Sequence, residues 1–174
     1  MTERLLLRKP VQSDAEPVFR GYAQDPHITR FLLWAPHRNI GETRDFLRRT
    51  ADLWKQGKEF TWAIETTASG ELVGMIALRI SPPRADFGYV IARAHWNNGI
   101  ATEAAQVLGR WALAQEGIHR LWALCDTDNP ASVRVLEKLG LKREGILRRW
   151  MYHSGSELPR DCYCYAKIKG DTPL

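Results

Sequence analysis

Tyr89-Val90-Ile91-Ala92-Arg93-Ala94-His95-Trp96-Asn97-Asn98-Gly99-Ile100-Ala101-Thr102-Glu103-Ala104 carries a β-rich run into a glycine turn and then into an alanine-rich helical run. The first backbone N–H groups of a helix have no internal partner, and the helix dipole adds partial positive charge there. Such an end suits a pyrophosphate. Gly99 lets the chain turn and lets phosphate oxygens approach the backbone with no Cβ in the way. Ala101 keeps the next position small, and Thr102 adds a hydroxyl. Asn-Gly before a helix is also an ordinary turn, so the segment alone names no ligand. Two familiar phosphate loops are excluded. G-x-x-x-x-G-K-[ST] is absent, and G-x-G-x-x-G needs glycines where Ala101 and Ala104 stand, which disfavours a nucleotide triphosphatase or a dinucleotide oxidoreductase.

Outward from the turn, residues 4–8 place three leucines between arginines and read as a first strand. Ser13 and Glu16 have capping-box spacing, which predicts a helix after Ser13 with Pro17 in its first turn. A second helix is expected over 42–56, with Phe46, Thr50, Leu53 and Trp54 on one side. Residues 60–65 alternate, Ala68-Ser69-Gly70 turns, and 72–80 returns as the second strand of a hairpin. Ser81-Pro82-Pro83-Arg84 breaks it before a strand over 87–91. A long helix over 100–115, a strand over 121–125 and a helix over 131–139 ended by Gly140 follow. Strands over 145–152 and 162–168, joined at Ser154-Gly155-Ser156, close the order β-α-α-β-β-β-α-β-α-β-β. With no repeat, low-complexity tract or linker, residues 1–174 read as one α+β domain.

Lys and Arg number 25 and Asp and Glu 20, giving a net charge of +5. That excess suits an anionic ligand. No run of five like charges and no recognisable aromatic-basic module is present, so no direct nucleic-acid role is expected. Seven tryptophans leave room for some to line a cleft, although packing is the commoner use of each. Three cysteines cannot all pair and suit a reducing cytoplasm. Cys162 and Cys164 share a strand face but lack further ligands at zinc spacing, so no metal is expected. No secretory segment is visible, and no apolar stretch approaches the ~18 residues of a membrane span.

The pattern W-x-x-G-x-A-T-E-A at 96–104, behind the strand containing Gly88 and Tyr89, resembles the acyl-CoA loop of GNAT acetyltransferases. More narrowly it resembles the RimJ/RimL-like branch of ribosomal-protein N-terminal acetyltransferases. Residues 2–8 with 13–16 are similar to that branch's opening. Asn129-Pro130-Ala131-Ser132 through Glu137-Lys138-Leu139-Gly140-Leu141 resembles its N-x-x-S…E-K-x-G-F helix, with Leu141 for Phe. Arg143-Glu144-Gly145 and Asp161-Cys162-Tyr163 match in type and order, so the resemblance covers nearly the whole chain.

The resemblance implies a GNAT fold: a mixed, mostly antiparallel sheet with helices on both faces, splayed open between the strand ending near Ile91 and the strand over 121–125. It implies acetyl-CoA as co-substrate in that gap. Pantetheine would pair with the backbone around Val90 and Ile91, and the pyrophosphate would sit on the amides of Asn97, Asn98, Gly99, Ile100, Ala101 and Thr102. Asn129 has the position of a helix N-cap, and the family adds a bond from it to the cofactor. When an amine attacks the thioester, coenzyme A leaves as a thiolate that needs a proton. Many members supply it from a Tyr where Leu136 stands; in this branch Ser132 is the replacement. Asp86, which shares a strand face with Gly88, is the candidate base, with Glu65 and Glu144 the others. Arg134 and Lys138 lie four apart on one helix side, either meeting the 3′-phosphate or forming a solvated face. Trp34, Trp62 and Tyr152 are candidate acceptor walls. The acceptor is expected to be a primary amine, on a ribosomal or other protein N-terminus or on a small molecule. A cytoplasmic homodimer is also implied. A protein that binds acyl-CoA without catalysis is the alternative reading.

Overall fold

Residues 1–171 are described by a computed structural model, so the last three residues of the expected domain lie outside the described residues. The chain runs through β1 (Leu5–Arg8), α1 (Ala15–Val18), α2 (Pro26–Thr29), α3 (Ile40–Lys55), β2 (Glu59–Thr66), β3 (Leu72–Ser81) and β4 (Arg84–Ile91). It continues through α4 (Ile100–Ala114), β5 (Arg120–Asp126), α5 (Pro130–Lys138), β6 (Lys142–Met151) and β7 (Arg160–Ile168). No helix among the described residues is long and apolar enough to cross a membrane.

Alternation along the strands decides the two faces. Ile64, Ile76, Leu78, Phe87 and Leu121 pack on the side covered by α4 and α5, where Leu108 and Leu136 help close the larger core. Ala63 and Met75 pack on the other side, with Val18, Tyr22 and Leu47 from the N-terminal helices. Trp54, Phe60, Trp62 and Trp111 stack edge-on or tilted at centroid separations of 5.0–6.3 Å, so Trp62 serves packing rather than an acceptor wall.

The cap expected at Ser13 is corrected. The Asp14 carboxylate accepts the Val11 N–H at 2.8 Å and is chelated by Arg8 Nη1 and Nη2 at 2.8 and 2.7 Å. Glu16 pairs instead with Arg20. A carboxylate held by an arginine makes stronger bonds than a serine hydroxyl can offer. The stop at Gly140 is a Schellman turn: Gly140 N–H donates to Glu137 O at 2.9 Å and Leu141 N–H to Leu136 O at 3.1 Å.

The strands lie in the order β1-β2-β3-β4-β5-β7-β6, antiparallel except for the parallel pair β4 and β5, which α4 joins by a crossover. That pair holds register only at Arg84↔Arg120, Ala85↔Leu121 and Asp86↔Trp122. β4 then runs on to Ile91 and β5 to Asp126 without pairing, which opens the sheet. On its other edge β4 is pressed against β3. A Cβ on Gly74 would stand 2.2 Å from Val90 O. Gly74→Ala is expected to cost about 1–3 kcal/mol, read as a lower midpoint in denaturant unfolding. An unchanged midpoint would show that the strands have room to part.

Candidate active site

β4 lends the opening a free backbone edge. Ala92 N–H donates to Val73 O on β3 at 2.8 Å, so alternation turns the backbone groups of Val90 toward β3 and those of Tyr89 and Ile91 toward the gap. Of the two residues expected to offer backbone to the gap, Ile91 does so, whereas Val90 is turned to β3 and Tyr89 faces the gap as well. Ile91 O already accepts the Trp96 indole N–H at 2.7 Å. The Ile91 N–H and both groups of Tyr89 remain on the gap side.

The strand leads into the turn before α4. Asn97 and Gly99 hold left-handed φ angles of 62° and 77°, which aim the chain into the helix. No side chain caps α4, and its first bond runs from Glu103 N–H to Gly99 O at 3.0 Å. The amides of Ile100, Ala101 and Thr102 have no acceptor among the described residues, at a helix end carrying partial positive charge. Asn97, Asn98 and Gly99 are exposed beside them. Arg4 joins this cluster. Its Nη1 donates to Asn98 O at 3.2 Å, its guanidinium pairs with Glu103, and its Nη2 would lie 3.5 Å from a Cβ on Gly99. Sequence reading missed Arg4 because 94 residues separate it from Asn98.

The second end of the site is α5. Asn129 Oδ1 accepts the Ser132 N–H at 3.1 Å, which caps the helix and fixes Ser132 in its first turn. Ser132 Oγ lies 3.1 Å from the Tyr89 hydroxyl on β4. Burial pushes the Tyr89 phenol up to about 12, although the bond to Ser132 works the other way. Leu136 is 2% exposed and belongs to the core. A phenol does stand beside α5, but it comes from Tyr89 on β4.

Asp86 lies elsewhere. It occupies the last β4–β5 pair on the opposite sheet face, and Arg79 Nε donates to it at 2.7 Å. Three residues of strand, roughly 10 Å, separate it from Tyr89, so Ser132 and Asp86 are not brought together. Glu65 is held by Arg8 at 2.7 Å. Arg120 binds Glu144 at 2.7 Å and holds that carboxyl below its usual range. All three expected bases are thus committed to arginines. Arg134 and Lys138 are exposed on α5 and make no ion pair among the described residues. Trp34 packs 5.1 Å from His37 and against the second core, whereas Tyr152 is exposed. The three cysteines are free, and no group of three potential metal ligands occurs among the described residues.

An open parallel pair flanked by an uncapped helix start is a family-level feature, and the family model for the acetyltransferase (GNAT) domain matches residues 4–142. The chain belongs to the GNAT acetyltransferases. This GNAT chain is similar to an uncharacterised N-acetyltransferase, YoaA, of Bacillus subtilis, with 34% identity over 97% of this chain and 95% of that one. Among solved structures, a GNAT-family acetyltransferase from Bacillus anthracis superposes with a TM-score of 0.86 at 26% identity, covering 98% of both chains. RimL, a ribosomal L7/L12 alpha-N-protein acetyltransferase solved with coenzyme A, shares the fold with a TM-score of 0.86 at 23% identity, over 98% of this chain and 97% of that one. The GNAT domain and these N-acetyltransferase relatives make the chain an acyltransferase.

Any side chain at Gly99 strains a left-handed backbone, and a β-branched one strains it most. Gly99→Val should weaken acetyl-CoA binding at least ~10-fold, about 1.4 kcal/mol, in a protein that still folds. Calorimetry giving unchanged affinity would remove this loop from the site.

Proposed function

We propose that this GNAT enzyme transfers the acetyl group of acetyl-CoA to a primary amine by direct attack on the thioester. The observation that carries this reading is the Ser132–Tyr89 hydroxyl pair beside an unpaired strand edge. Pyrophosphate on the α4 amides and Arg4, 3′-phosphate on Arg134 and Lys138, and pantetheine along Tyr89 and Ile91 would bring the thioester to Ser132. The amine nitrogen then bonds the carbonyl carbon, the C–S bond breaks, and sulfur leaves as a thiolate. Ser132 donates a hydrogen bond to that sulfur as its charge grows. Tyr89, held protonated by burial, orients the serine hydroxyl. The thiolate takes up the proton that the acylated nitrogen sheds.

The coenzyme A in the RimL neighbour supports the co-substrate, and its ribosomal-protein substrate supports a polypeptide N-terminus as acceptor, beside small-molecule amines. Free cysteines fit a cytoplasmic setting.

The test is thiol release from acetyl-CoA with a panel of amines. Ser132→Ala should lower kcat ~10²-fold and change the KM for acetyl-CoA little, because its contact strengthens in the transition state. Full kcat would leave Ser132 a helix residue. Tight acetyl-CoA binding without turnover on any amine would favour the non-catalytic reading. Removing Arg134 and Lys138 together should weaken coenzyme A about 10-fold more than its dephospho analogue. Equal losses would return both residues to the solvated surface.

A further inference from the structure

His153, in the connection between β6 and β7, is 6% exposed, and its Nδ1 lies 2.9 Å from Asp126 Oδ2 at the end of β5. Nδ1 makes no aligned hydrogen bond to the carboxylate, so this is a close polar contact. Burial opposes the charge on Asp126. Bonds from Arg160 Nε at 3.1 Å and the Asp128 N–H at 2.7 Å outweigh that and hold the carboxyl below its ordinary range. A fixed anion therefore stands beside Nδ1, itself without an aligned hydrogen-bond partner, and no hydrogen bond engages Nε2 among the described residues.

The topology says where this ring sits. Asp86 and Trp122 form the last β4–β5 pair, so Val90 and Asp126, each four residues further on, stand level across the gap. Alternation puts both on the face opposite Tyr89. The residue after His153, Ser154, donates its N–H to Leu32 O at 2.8 Å, and Leu32 packs with Val90 against the second core. His153 and Ser154 thus tie the connection to the end of β5 and to the Leu32 segment, both on the face away from Ser132. His37, also half-buried on this face, bonds Thr43 at 2.8 Å and is tied to α3 instead.

We propose that His153 is the general base for the acceptor, taking the ammonium proton at Nε2, with Asp126 as its positioning residue. This rests on the acetyl-transfer reading above. One N–H bond of the ammonium breaks, Nε2 gains the proton, and the freed lone pair bonds the thioester carbon as the C–S bond breaks. The imidazolium returns its proton to water after product leaves. No carboxylate weighed for this role is free to take it, since Asp86, Glu65 and Glu144 are each bound to an arginine. Approach from the His153 side also leaves the opposite side to Ser132 and the departing sulfur.

A base is needed only by an acceptor that is protonated, which separates this role from a structural one. Wild type and His153→Gln are compared with two amines: an alanyl peptide, largely an ammonium at neutral pH, and O-methylhydroxylamine, already neutral there. The variant is expected to lose ~10²-fold in kcat/KM for the peptide and to stay within about 3-fold for O-methylhydroxylamine, with acetyl-CoA affinity unchanged. Added imidazole should restore peptide turnover to His153→Ala. Equal losses for both amines, or no loss for either, would overturn the base while wild-type turnover leaves acetyl transfer standing. Failure of the wild type on these two and on every other amine of the panel would overturn the acetyl-transfer reading and this base with it.

Discussion

An unpaired strand edge is the constraint on which this molecule depends. Beyond Asp86 the gap-side backbone groups of β4 lose their partner strand, and a backbone group left unsatisfied away from water costs on the order of 1–3 kcal/mol. The sheet cannot repair this by closing. β5 departs toward β7, with which it pairs over its whole length from Arg120 to Asp126. The chain leaving β4 sets down an uncapped helix at the mouth of the same gap. A ligand with amide groups along its length and an anion at its end relieves both deficits at once.

The two faces of the sheet then carry different work. On the α4 and α5 side, the hydroxyls of Ser132 and Tyr89 meet at 3.1 Å. On the other side Asp126 gathers the Asp128 amide, Arg160 and His153 at the end of β5, which fixes the turn into α5 and holds the β6–β7 connection against that end. The surrounding carboxylates are largely spent on arginines. Arg8 bridges Asp14 and Glu65, and Arg79 bridges Asp86 and Glu59, so these acids serve the frame.

Much of this was legible because it is local. Strand alternation, the Pro-Pro break, the glycine turn before α4 and the stop at Gly140 are short-range signals, and each sits where the sequence places it. The Gln12–Asp14 turn was misread at its cap because Arg8, brought in by β1, makes Asp14 the stronger partner. α2, a single turn from Pro26 to Thr29, is too short for periodicity to reveal. The site suffers most from distance. Nothing in the strand around Tyr89 points to a serine 43 positions away, and nothing around His153 points to Asp126 on β5. The backbone direction of Val90 follows from pairing with β3, which a single strand does not disclose.

The most direct measurement of the central claim is hydrogen exchange at single-amide resolution, with and without acetyl-CoA. If the open edge and the uncapped helix start are the two deficits a ligand relieves, protection should rise at Tyr89 and Ile91 and at Ile100, Ala101 and Thr102. Val90, already turned to β3, should change little. Unchanged exchange at Tyr89 and Ile91 under saturating acetyl-CoA would contradict the account, because the strand edge would then not be where the ligand lies.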